Sequence, residues 1–333
     1  MASKNQSTPD DQASASNPQR IQLAAFATAG HFGSRLDQVA AELFPDYSRG
    51  QLQKWIRSGE LTVDARKEKP TFKIKGGEKL LVDARPEPRD ETIPQDIPLD
   101  VLYADDDLLV INKPAGIVVH PAAGNRDGTL QNALLHYDPG LAVLPRSGLV
   151  HRLDKDTSGV MVVARSLRAH TSLVSQLQDR SMGRVYEAVA AGEIRRRDTV
   201  NEPIGRHPRD RKRMAVVSSG RKAVSHYRIL QAFKGFTHIE VSLETGRTHQ
   251  IRVHMAHIGH PLVGDATYGR KPRSVKGMDA QLVEGIKAFP RQALHARYLA
   301  LHHPADGREM RFEAPLPEDF QGLLDLLEAK AHA

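Results

Sequence analysis

The stretch H-R-L-D-K-D-T-S-G, His151 to Gly159, follows an apolar approach, Gly148-Leu149-Val150, and sets an arginine and a carboxylate two positions apart. In an extended segment, positions two apart face the same side. Arg152 and Asp154 therefore point into one space and read as site residues. The tail of the stretch, Asp156 to Gly159, is also ordinary turn or helix-cap chemistry, so its meaning comes from the rest of the chain.

Outward from this loop, short apolar segments predict strands at Leu108–Ile111, Gly116–Val119, Gly159–Ala164, Tyr186–Val189, His238–Leu243 and Leu299–Leu301. Helical spacing places helices near Thr129–His136, Ser166–Leu177, Thr248–Ile258 and Pro317–Ala329. Strands outnumber helices and do not alternate with them regularly, so the expected body is α+β with a mixed or antiparallel sheet over residues 99–330.

The chain has 333 residues, 40% of them hydrophobic but only 5% aromatic, enough for a packed core with little left for broad stacking platforms. It contains no cysteine, which excludes disulfide frameworks, thiolate metal sites and cysteine nucleophiles together. Residues 1–20 are polar, with no apolar h-region, and read as a disordered tail rather than a secretory signal. No apolar run approaches the length needed to span a bilayer, so a cytoplasmic protein with no membrane partner is expected.

The net charge of +7 is localised. Between Arg195 and Lys222 ten Lys or Arg stand against three acidic residues, so this arm carries the whole excess and the remainder sums to zero. Clustered cations on a near-neutral body suit a phosphate backbone, with Arg211, Lys212 and Arg213 as RNA contacts. The arm is rich in Pro and Gly and lacks the amphipathic stripe that a membrane surface would require.

Residues 33–84 read as a compact module ahead of a Pro- and charge-rich linker at 85–98. Leu36, Val39, Ala40 and Leu43 follow helical spacing; after Ser48 as N-cap, Leu52, Trp55 and Ile56 do so again. Strands are expected at Leu61–Val63, Thr71–Ile74 and Lys79–Val82. R-L-D-Q-V-A-A-E-L-F-P at 35–45 and S-R-G-Q-L-Q-K-W-I at 48–56 resemble an S4-type RNA-binding domain. That resemblance makes Arg35, Arg49, Lys54 and Arg57, on the polar side of the helices, candidate RNA contacts.

The segment Glu244 to Asp265 is rich in His and Arg. A metal reading fails on spacing: His249, His254, His257 and His260 lack an adjacent glutamate, cysteine support or a third-ligand signature, so no metal is expected. There is also no G-x-S-x-G elbow, no phosphate loop ending in Lys-Ser/Thr and no dinucleotide fingerprint.

Four ordered motifs reach a family. I-N-K-P-A-G-I-V-V-H-P at 111–121, H-R-L-D-K-D-T-S-G at 151–159, R-V-Y at 184–186, and G-R-T-H-Q-I-R-V-H through H-I-G-H-P-L-V-G-D at 246–265 together resemble the ribosomal-RNA pseudouridine synthases of the RluA/RluD type. R-Q-A-L-H-A at 291–296 belongs to the same pattern, and the resemblance covers roughly residues 33–330. It implies a pseudouridine synthase catalytic domain behind the S4-like module, 23S ribosomal RNA of the large subunit as partner, and the helix 69 loop as target. It implies a single chain acting without a cofactor.

Within that resemblance the nucleophilic aspartate falls at Asp154, its arginine partner at Arg252 and the base-stacking tyrosine at Tyr186. Arg152 falls at the residue that enters the vacated base stack. Arg247 lies in the same motif as Arg252, and residue types alone leave both open as the partner. Burial under a nucleotide would raise the Asp154 pKa, and a guanidinium within ion-pair reach opposes this. Attack at C1′ of the sugar and at C6 of the base both remain, the resemblance favouring the sugar route through a glycal. A non-catalytic ribosome-assembly factor on the same scaffold would explain the module and the arm, but not Asp154, Tyr186 and Arg252 together. A uridine methyltransferase lacks its Gly-rich cofactor loop here.

Overall fold

The computed structural model describes residues 20–45, 47, 49–84, 92–121, 124–210, 212–269 and 279–330. Nearly all of the polar tail, the Ser48 cap, residues 85–91 of the linker and Arg211 lie outside the described residues. The chain divides into two compact units between residues 91 and 92.

The N-terminal unit contains β1 (Ile21–Phe26), α1 (Leu36–Leu43), α2 (Arg49–Ser58), β2 (Leu61–Val63) and β3 (Lys79–Ala84). The helices bury Leu36, Val39 and Ala40, and Leu52, Trp55 and Ile56, the side chains that the helical spacing selected. They cover an antiparallel sheet ordered β1-β3-β2. β1 lies ahead of residue 33 and was not anticipated: it alternates half-buried and exposed residues and pairs Ile21 to Phe26 against Ala84 to Lys79. The strand expected at Thr71–Ile74 does not form; only Lys73 makes a single bridge, to Arg35. Its backbone is used instead to hold the entry to α1, where Leu36 N donates to Phe72 O at 2.8 Å and Ile74 N donates to Ser34 O at 3.0 Å.

The C-terminal unit runs β4 (Val101–Ala104), β5 (Leu108–Lys113), α3 (Leu130–Tyr137), β6 (Ser158–Ala164), α4 (Leu167–Asp179), β7 (Gly183–Ala191), β8 (Asp198–Asn201), β9 (Ile204–Arg206), β10 (Met214–Val216), β11 (Val224–Phe233), β12 (Phe236–Leu243), α5 (Gln250–His257), α6 (Ala280–Ala288), β13 (Leu294–His302), β14 (Glu309–Glu313) and α7 (Glu318–Ala329). One mixed sheet is ordered β4-β5-β6-β13-β7-β12-β11-β8, with β14 also on β13. Only β6 and β13 pair in parallel. This is the α+β architecture with a mixed sheet that the segment order implied. β9 and β10 form a separate hairpin inside the basic arm.

Alternation along the central strands feeds two cores. Ala188 and Ala190 of β7 and Ile239 and Val241 of β12 join the helices α3, α4 and α5, whereas Val189 and Phe236 join α6 and α7 through Leu282, Ile286, Phe320 and Leu323. β6 is buried along its whole length, which accounts for its unbroken apolar run. Gly159, at φ +117°, is required where β6 meets β13, because a Cβ there would collide with the Ala296 carbonyl. The strand expected at Gly116–Val119 is absent. Its Val118 and Val119 carbonyls instead accept from Leu130 N and Gln131 N at 2.8 and 3.1 Å, at the start of α3.

Candidate active site

At the C-terminal end of the 148–153 approach, the chain turns through Asp154–Thr157 before β6. Four donors from outside hold this turn. Gly116 N and Lys113 Nζ donate to Lys155 O at 2.9 and 3.0 Å, Arg291 Nη1 donates to Asp156 O at 3.2 Å, and Gln292 Nε2 donates to Thr157 Oγ1 at 3.1 Å. Lys113 is fully buried and also donates to Pro114 O and Ile117 O at 2.7 and 3.0 Å. Burial pushes its pKa down to about 7, against the pull of Asp156 and Asp154. His151 accepts from Val162 N at 3.1 Å. Burial, with the nearby Arg184 guanidinium, pushes its pKa down to about 3, so the ring is neutral.

Asp154 lies in a cavity of about 560 Å³ lined also by Arg152, Arg184, Tyr186, Arg247, His249 and Arg252. β7 delivers Tyr186 and the first half of α5 delivers Arg252. Arg252 Nη1 donates to Asp154 Oδ2 at 3.0 Å. Its other edge is held bidentately by Asp265, Nε at 2.7 Å and Nη2 at 2.9 Å. Burial works to lower the Arg252 pKa, but the hydrogen bonds and charges of Asp265 and Asp154 outweigh it and the net shift is upward. Asp265, fully buried, is itself held below the usual carboxylate range by Arg252 and by the Thr267 and Tyr268 amides, in spite of its burial. Tyr186 is buried, which raises its hydroxyl pKa; the Arg184 guanidinium opposes this and the Asp154 charge reinforces it.

The partner question left open between two arginines has a geometric answer. Arg247 Nε donates to Lys222 O at 3.0 Å, so it lines the cavity without pairing to Asp154. Arg152 is exposed at the rim. The histidines of this segment disperse: His254 bridges Ser225 Oγ and Glu202 O, His260 meets Ala191 O, and His249 lies 2.7 Å from the Tyr268 hydroxyl and 3.9 Å from Asp154. Among the described residues no group of three His, Cys, Asp or Glu gathers in a metal-holding arrangement.

The remaining candidates lie elsewhere. In the N-terminal unit Arg35 and Arg49 both donate to the fully buried Asp37, at 2.9 and 2.8 Å, and Gln53 adds a third donor at 2.6 Å. Burial works to raise the Asp37 pKa, but these donors hold it well below the usual range. Arg57 donates to Gln53 at 3.3 Å, and Lys54 is exposed on α2. In the arm, Lys212 is exposed, while Arg213 sets its guanidinium 5.3 Å from the centre of the Tyr268 ring. Arg252 lies 5.1 Å from the same ring.

Sequence reading missed Lys113, Arg184, Asp265, Tyr268, Arg291 and Gln292. Five of the six stand inside quoted motifs; Tyr268 lies three residues beyond one. Arg184 carries a further signal, standing two positions from Tyr186 on one strand and therefore on its face.

The geometry has counterparts in known proteins. A sequence profile described as RNA pseudouridylate synthase matches residues 107–257, and one described as S4 domain matches residues 34–80. A protein of Pseudomonas aeruginosa named ribosomal large subunit pseudouridine synthase D is 54% identical over 313 residues, covering 94% of this chain and 98% of its own. One of the same name from Salmonella typhimurium is 52% identical over 312 residues, covering 93% and 96%. Among solved structures, human RNA pseudouridylate synthase domain containing 1 aligns with TM-score 0.51 at 26% identity over 71% of this chain and 96% of that one. Human RNA pseudouridylate synthase domain containing 4 aligns with TM-score 0.53 at 25% identity over 69% and 93%. With the mixed sheet, the Asp154–Arg252 pair and likeness over nearly its full length, the chain belongs to the RNA pseudouridylate synthase family, with an S4 domain ahead of the synthase fold.

Proposed function

We propose that this protein converts uridine to pseudouridine in 23S ribosomal RNA, with the helix 69 loop as its target, and that Asp154 is the nucleophilic carboxylate. The observation that carries the reading is the 3.0 Å hydrogen bond from Arg252 to Asp154 inside a cavity lined by five arginines and one carboxylate. A charge-assisted hydrogen bond in that setting holds the carboxylate in a fixed position. The cationic lining suits the phosphates on either side of an extruded nucleotide.

A stacked uridine cannot reach Asp154, so it must be flipped, at a cost of a few kcal/mol. Stacking on an aromatic ring recovers about 1–3 kcal/mol per base, and Tyr186 is the cavity's tyrosine. Arg152, exposed at the rim of the same loop, is placed to fill the gap left in the RNA stack. Isomerisation returns the uracil ring to the same sugar and exchanges only a proton, so it draws on no oxidant and no group donor. The S4 domain and the basic arm add RNA contacts outside the cavity. The large-subunit RNA assignment is supported by the near full-length likeness to relatives named ribosomal large subunit pseudouridine synthase D, and the helix 69 loop by the motif resemblance. The protein acts as a single chain in the cytoplasm, with the large ribosomal subunit as partner; no helix among the described residues is long and apolar enough to cross a membrane.

The deciding variant is Asp154→Asn. It is expected to bind 23S RNA fragments with unchanged affinity and to form no pseudouridine by carbodiimide mapping; retained turnover removes Asp154 from the role. Mass-spectrometric mapping of ribosomal RNA from a deletion strain is expected to show pseudouridine missing from the helix 69 loop, and full modification there moves the target elsewhere.

A further inference from the structure

Arg184 is the unusual cation of the cavity. It is 8% exposed, and its Nε is buried without a hydrogen-bond partner among the described residues. The other two buried arginines among those residues are fully engaged, Arg252 by Asp265 and Asp154, and Arg291 by Asp319 at 2.6 and 2.8 Å. Asp154 is the sole carboxylate among the lining residues, and Arg252 already holds it. A buried guanidinium with no acid beside it is costly to keep, and that cost falls when a negative charge forms next to it.

Three further observations locate the charge. Arg184 and Tyr186 stand two apart on β7 and both line the cavity, so the guanidinium lies on the face that takes the base. Arg146 and Arg152 line the same cavity but are exposed, as suits contacts to RNA phosphates, whereas Arg184 is buried. The tip of Arg184 rests on the backbone of the G-R-T-H-Q turn: a Cβ on Gly246 would come within 2.5 Å of its Nη1.

We propose that Arg184 is a catalytic residue that stabilises the uracil anion released during isomerisation. This rests on the pseudouridine-forming reading given above. When the C1′–N1 bond breaks, its electron pair leaves with the base and spreads over N1, O2 and O4. The sugar is balanced at Asp154, either by a new bond from the carboxylate to C1′ or by transfer of the 2′ proton to it. C5 of the turned base then bonds to C1′ as the Asp154–C1′ bond breaks or, on the other route, as Asp154 returns the proton to C2′; the C5 proton departs and N1 takes up a proton, so no net charge remains. Arg252 is committed to two carboxylates, which leaves Arg184 as the buried guanidinium able to meet the anion. Arg184 transfers no proton.

The test uses the full chain and a 23S RNA fragment containing the modified loop, with single-turnover rate and RNA affinity measured separately. Arg184→Gln is expected to slow the saturated single-turnover rate by about 10²–10³-fold, the effect of removing one preorganised donor. RNA affinity and its salt dependence stay unchanged, and Arg184→Lys, which keeps the charge, recovers at least part of the rate. Replacing the target uridine by 5-fluorouridine, whose base is a more stable anion, is expected to shrink the penalty of Arg184→Gln on C1′–N1 cleavage. An equal penalty on both RNAs overturns the proposal, since a purely structural arginine would be indifferent to the leaving group. Weakened binding with a salt slope shallower by about 0.7, as when one single-strand phosphate is no longer neutralised, together with an intact saturated rate, also overturns it. A wild-type protein that forms no pseudouridine at all fails the underlying reading instead.

Discussion

Asp265 grips the outer edge of Arg252 at 2.7 and 2.9 Å and so turns the remaining nitrogen, Nη1, onto Asp154 at 3.0 Å. The Asp154–Arg252 pair is therefore aimed by a residue that lies outside the cavity lining. Asp265 is in turn held by two amides of the following turn, Thr267 N at 2.9 Å and Tyr268 N at 3.0 Å.

Asp265→Asn removes one charge from this clamp while leaving the fold's packing volume unchanged. A small misplacement of a catalytic group costs on the order of 10²-fold in rate, so the saturated single-turnover rate is expected to fall by about that factor while RNA affinity holds. In an Arg252→Met background the same change should add little, because the two residues act as one unit. Equal losses in both backgrounds would separate Asp265 from Arg252.

The basic arm makes a different prediction. Arg209 and Lys212 are exposed on the β9–β10 hairpin and neither is among the residues lining the Asp154 cavity. Replacing both by Gln is expected to weaken RNA binding and to flatten the log–log salt dependence by about 0.7 to 0.9 for each phosphate that is no longer neutralised. The saturated rate should be unaffected. A slope identical to wild type would mean that the hairpin does not face RNA.

Lys113 links stability to pH. Its pKa is depressed to about 7 in the folded protein from 10.5, so between those values the unfolded chain binds more protons. Stability therefore rises with pH across that window, by up to about 1.4 kcal/mol per pH unit from this group. Below pH 7 the lysine is charged in both states and contributes no slope. Urea unfolding of wild type and Lys113→Met from pH 6 to 10 should show wild type gaining on the variant above pH 7, and a constant difference would contradict the buried titration.

How far the chain could be read in advance depends on the range of the interactions involved. The paired helices of the S4 domain, the mixed sheet, and the shared loop of Arg152 and Asp154 follow from local spacing, because apolar periodicity and a loop's residue types are properties of adjacent positions; that Tyr186, Arg247 and Arg252 join them was legible only through the resemblance of their motifs to a family. The strands wrongly expected at Thr71–Ile74 and Gly116–Val119 have suitable residues, but their carbonyls are used by the starts of α1 and α3. Which arginine meets Asp154 was beyond sequence reading, since Arg247, in the loop before α5, and Arg252, on α5, are told apart only by where the folded backbone aims them. That aim is set by Asp265, thirteen residues further along. The ion pair that Arg35 and Arg49 share with buried Asp37 is likewise a tertiary contact that their spacing does not announce. Residue type names the chemistry a position is able to perform, and the tertiary structure, by choosing each charge's partner, decides whether that charge is spent on the fold or kept for the substrate.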